Sequence, residues 1–110
     1  METKILVVDD NSRVREMLAD LLEMEGHTVF QAESGEVALR LMDAGLRPHL
    51  IVSDLMMPDV DGWGVLSAVD KLPEKPRVIV FTSLGDLTSV ERLSQRYGCT
   101  VLKKPEQLRD

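Results

Sequence analysis

Five short apolar segments, at 4–8, 28–32, 49–53, 77–81 and 100–103, alternate with stretches of helical periodicity, and this constrains the fold most. Lys4-Ile5-Leu6-Val7-Val8 and His49-Leu50-Ile51-Val52-Ser53 lack polar alternation. Such runs suit strands covered on both faces, as in a parallel sheet layered between helices. After the first run, Val14, Met17, Leu18, Leu21 and Leu22 form an amphipathic helical stripe. Asn11 or Ser12 can cap that helix and Gly26 stops it. Thr28-Val29-Phe30-Gln31-Ala32 is more polar and reads as an edge strand. Ser34-Gly35 opens a second helix with Ala38, Leu41 and Met42 on one face, ended by Gly45 and Pro48. A third helix carries Val65, Leu66 and Val69, and Pro73 and Pro76 bracket the turn that follows. Arg77-Val78-Ile79-Val80-Phe81 is the fourth strand and ends at Thr82. Leu87, Val90, Leu93 and Tyr97 mark a fourth helix before Thr100-Val101-Leu102-Lys103. Strands alternating with helices over short connections demand right-handed crossovers and a parallel sheet with helices on both faces.

The 110 residues fit one domain over 1–110, and 44% hydrophobic content supplies its core. A net charge of −6 disfavours direct nucleic-acid binding. No apolar run is long enough to span a membrane, and the N-terminus lacks a signal-peptide pattern. The single cysteine, Cys99, cannot form an internal disulfide, so a reducing, cytoplasmic setting is expected.

An open α/β sheet binds ligands beyond the carboxyl ends of its strands, near the switch in strand order. Asp9 and Asp10 follow strand one, Asp54 strand three, Thr82 strand four and Lys104 strand five. Separate segments thus deliver three acids, a hydroxyl and an ammonium to one edge. Clustered carboxylates repel, and burial penalises their charge. A hard divalent cation resolves this, with Mg²⁺ the natural choice, and it also neutralises phosphoryl oxygens. A carboxylate can be the nucleophile that becomes an aspartyl phosphate. Lysine supplies a compact positive charge and threonine a hydrogen-bond donor. Alone, Asp9-Asp10-Asn11 would read as a helix cap, but with Asp54, Thr82 and Lys104 the metal reading is better. Asp59 and Asp61-Gly62 read as turn residues, Lys103 as a solvated edge charge, and His27 and His49 as surface or strand-end residues. Met17, Met24, Met42 and Met57 read as packing, Cys99 as small core filler and Trp63 as a partly exposed helix residue.

Ile5-Leu6-Val7-Val8-Asp9-Asp10, Asp54-Leu55-Met56-Met57-Pro58 with Asp61-Gly62, Phe81-Thr82-Ser83 and Lys104-Pro105 together resemble the receiver domain of two-component response regulators. The resemblance implies a flavodoxin-like, doubly wound, five-stranded parallel sheet of strand order 2-1-3-4-5. It also implies a signalling switch rather than a turnover enzyme. A phosphohistidine of a sensor histidine kinase or histidine phosphotransfer protein would donate to Asp54. By the same resemblance Asp10 holds Mg²⁺ directly, Asp9 mostly through water, and Asp54 and the Met56 backbone carbonyl complete the protein ligands. Thr82 matches the switch hydroxyl and Lys104 the lysine that pairs with the phosphoryl group, with a cis bond to Pro105.

There are departures from that pattern. Val101 stands where many members carry a switch aromatic, and Tyr97 and Phe81 are weak substitutes. The sequence runs only about one helical turn past Pro105, so the fifth helix is expected to be truncated or absent and the chain a piece of a longer protein. A sheet face left bare would favour a partner, such as a homodimer. Met56 and Leu84, two residues after Asp54 and Thr82, are apolar and imply slow self-dephosphorylation. Rival readings fit less well. A phosphohydrolase of the haloacid dehalogenase type would carry Asp-x-Asp where Asp9 and Asp10 are adjacent. A flavodoxin-like cofactor carrier would need a phosphate loop after strand one, and a phosphorylation-independent interaction module would not need the acids.

Overall fold

β1 (Lys4–Val8) is the axis of the molecule, and every residue after Lys4 in it is buried. The computed structural model describes residues 3–54, 67–73, 75–82, 95 and 100–103. β1 lies between β2 (Thr28–Ala32) and β3 (Leu50–Ser53), followed outward by β4 (Arg77–Thr82) and β5 (Thr100–Lys103). The order β2-β1-β3-β4-β5 is parallel throughout. The sequence-based expectation of a five-stranded, doubly wound sheet holds, with β2 at an edge and β3 beginning at Leu50 rather than His49.

The helices form where caps and periodicity require. α1 (Ser12–Met24) starts at Asn11, whose side chain accepts the Val14 N–H at 3.1 Å. Gly26 ends it with φ of 92°, in the left-handed region that glycine enters without penalty. α2 (Gly35–Asp43) is capped by Ser34, whose Oγ accepts the Val37 N–H at 3.2 Å, and Gly45 reverses the chain at φ 111°. A helical turn at 67–70 buries Val69. Leu6, Val8, Ile51, Val78 and Val80 pack with Ala38, Met42 and Val69 on the α2 side of the sheet. Ile5 and Val7 point to the opposite side, where Val14 and Ala19 of α1 are buried.

Two expectations about α1 need correction. Leu21 is 52% exposed and Met24 81% exposed, while Ala19 is fully buried. The helix is rotated so that a small residue meets the sheet, which permits close approach and turns Leu21 and Met24 away from it. Met42 packs as expected. Val65, Leu66, Leu87, Val90, Leu93, Tyr97, Met57, Trp63 and Cys99 lie outside the described residues, as do the Lys104-Pro105 bond and any fifth helix. No described helix is long and apolar enough to cross a membrane.

Candidate functional site

The chain goes from β1 out to β2, then returns past β1 to β3. The strand order therefore switches between β1 and β3, and it is beyond the carboxyl ends of the strands at such a switch that open α/β sheets bind ligands. Val8 and Ser53 are the last register pair of these strands. The next residue on each strand is an acid. The Asp54 N–H donates to the Val8 carbonyl at 3.0 Å, and the Asp9 N–H donates to the Ala32 carbonyl at 3.1 Å. The sheet ladder thus continues one step into the site and fixes the main chain under both acids.

Asp9 is 2% exposed and Asp54 6%, whereas Asp10 is exposed. Asp9, Asp10 and Asp54 can each offer a carboxylate oxygen such that all three lie within 4.8 Å of one another. Among the described residues this is the cluster suited to a metal ion. The donors are hard oxygens and two of the charges are buried, so a divalent cation fits both their chemistry and their need for compensation. An Asp9 carboxylate oxygen accepts the Asn11 N–H at 2.9 Å, while Asn11 caps α1. Within this segment Asn11 caps the helix, while Asp9 and Asp10 join Asp54 in the acidic cluster. The Ser53 hydroxyl donates to the Asp54 carbonyl at 3.0 Å and satisfies a buried acceptor beside the acid.

Thr82 ends β4 at the same edge, two residues past the Ser53↔Val80 pair. Its register partner is Lys103, so β5 also delivers the chain to this edge just before Lys104. The Thr82 and Val101 side chains, Met56, Leu84 and Lys104 lie outside the description. His49 sits at the opposite edge, exposed, its Nδ1 accepting the Lys4 N–H at 3.0 Å. Arg15 was not conspicuous in the sequence, yet it reaches the site's frame. Its Nη1 donates to the Asp9 carbonyl at 3.0 Å and its Nε to the Gln31 side chain at 3.2 Å. Only its place one turn into a helix that follows an acidic pair hinted at this.

The chain is similar in sequence and fold to known proteins. Sporulation initiation phosphotransferase F of Bacillus subtilis is 33% identical over 113 residues, spanning 100% of this chain and 90% of that protein. Response regulator RR06 of Streptococcus pneumoniae is 38% identical over 104 residues, covering 94% of this chain and 47% of its own length. The chain spans about a third of the probable transcriptional regulators ycf27 that it also matches. Among solved structures, response regulator protein TrrA from Thermotoga maritima, in complex with Mg(2+)-BeF, superposes with a TM-score of 0.80 at 31% identity. That match covers 94% of this chain and 88% of the other. Residues 5–110 match the family described as the response regulator receiver domain, and with its parallel sheet of order 2-1-3-4-5 and acids at the carboxyl edge, the chain belongs to that family.

Proposed function

We propose that this chain is a phosphorylation-driven switch of a two-component system in which Asp54 is the phosphoacceptor. The observation that carries this reading is the meeting of the Asp9, Asp10 and Asp54 carboxylates within 4.8 Å at the sheet's carboxyl edge. These acids, with the Met56 backbone carbonyl, would hold Mg²⁺. When bound, the ion offsets the acids' repulsion and the charge on the phosphoryl oxygens. An Asp54 carboxylate oxygen attacks the phosphorus of a phosphohistidine on a sensor histidine kinase or histidine phosphotransfer protein. The P–N bond breaks, the imidazole leaves with its electron pair, and an acyl phosphate forms. The Thr82 hydroxyl donates a hydrogen bond to a phosphoryl oxygen, and Lys104 pairs with another. The chain turns over no free substrate beyond its own phosphorylation and slow dephosphorylation, and it works in the cytoplasm.

Similarity to the sporulation phosphotransferase supports the phosphotransfer role, and similarity to the Mg(2+)-BeF complex of TrrA supports the ion. The test is incubation with acetyl phosphate and Mg²⁺, read by intact mass. The wild type should gain one acid-labile phosphoryl group and Asp54→Asn none. Full labelling of Asp54→Asn would remove Asp54 from the role.

A further inference from the structure

We propose that Arg15 is a positioning residue for the acid cluster, tying the Asp9 carbonyl to Gln31 and so setting the direction of the Asp10 carboxylate. The inference rests on the phosphoacceptor reading and concerns how the metal-holding acids are aimed. Three hydrogen bonds among the described residues hold Asp9. Its N–H donates to the Ala32 carbonyl at 3.1 Å, its carboxylate accepts the Asn11 N–H at 2.9 Å, and its carbonyl accepts from Arg15 Nη1 at 3.0 Å. The carbonyl of Asp9 and the N–H of Asp10 share one rigid peptide plane. Fixing that oxygen therefore fixes the bond from which the exposed Asp10 departs.

Arg15 is anchored in turn. Its Nε donates to Gln31 Oε1 at 3.2 Å, and Gln31 lies in register with Val7 on β2. One guanidinium thus ties α1, β2 and the loop after β1. The two bonds use donors spread across a rigid fork, which the single nitrogen of lysine does not reproduce.

Charge and geometry predict opposite signs here. A cation beside a divalent-ion site repels the ion, so Arg15 acting by charge alone would weaken metal binding. Variants that keep the charge isolate the geometry. Arg15→Lys removes the fork. Gln31→Leu leaves the guanidinium but removes one anchor, at an exposed strand position where folding is least at risk.

The experiment is calorimetric titration of Mg²⁺ into the full chain, with thermal melts in EDTA as a check on folding. Arg15→Lys should weaken Mg²⁺ binding about tenfold, the scale of an outer-shell partner. Gln31→Leu should weaken it by a smaller factor. The double variant should be no worse than Arg15→Lys, because the two changes break one shared link. A wild type that binds Mg²⁺, with both single variants equal to it in affinity, overturns the positioning role even if their melting temperatures fall. A wild type with no Mg²⁺ affinity overturns the phosphoacceptor reading, and this inference with it.

Discussion

At the scale of single residues, the site is a place where like charges are held together. With carboxylate oxygens of Asp9, Asp10 and Asp54 within 4.8 Å, mutual repulsion among them opposes folding, and a bound divalent cation would relieve it. Asp10→Asn should therefore raise stability without metal, by about 1 kcal/mol at low ionic strength given Asp10's exposure. The gain should shrink as salt is added. Urea denaturation in EDTA at two salt concentrations checks both statements. A variant less stable than the wild type at low salt would show that the acids are not in conflict. The acids themselves were legible in the sequence, because they stand within two residues of the end of an apolar strand. Arg15 was not. Its partners are a backbone carbonyl, which every residue type offers, and a glutamine on a strand reached only through the fold.

At the scale of elements, caps and strand ends set the boundaries. Ser34 starts α2 by accepting the Val37 N–H, and α2 buries Ala38 and Met42 as it packs on β1 and β2. Ser34→Ala should cost about 1 kcal/mol, the usual worth of an N-cap. A lower urea midpoint with unchanged slope is the expected signature. Strand identities were readable because β1 and β3 lack polar alternation, although only β1 is buried on both faces, Leu50 and Val52 of β3 being half-buried. The rotation of α1 was not readable. The periodic stripe admitted Leu21, but the surface that receives the helix chooses Ala19. That choice depends on the strands on which α1 packs, β1 and β2, which a one-dimensional pattern does not encode.

At the scale of the whole molecule, the order β2-β1-β3-β4-β5 brings together residues as distant in sequence as Asp9 and Asp54. Parallel strands all end on one edge, so strand ends alone were enough to foresee the cluster. Mg²⁺ bound only by the folded chain should stabilise it by about 2.7 kcal/mol at a hundredfold excess over Kd. The melting temperature should rise on the order of 10 °C, and EDTA should abolish the rise. An unchanged melting temperature in saturating Mg²⁺ would count against the metal site. One last consequence follows from the ladder bonds that Asp9 and Asp54 make through their own N–H groups. These acids stand like posts set into a foundation rather than hung from a flexible span. Under the proposed reading, a bulky dianion added to Asp54 would meet this anchored backbone from below and push outward, into whatever faces it.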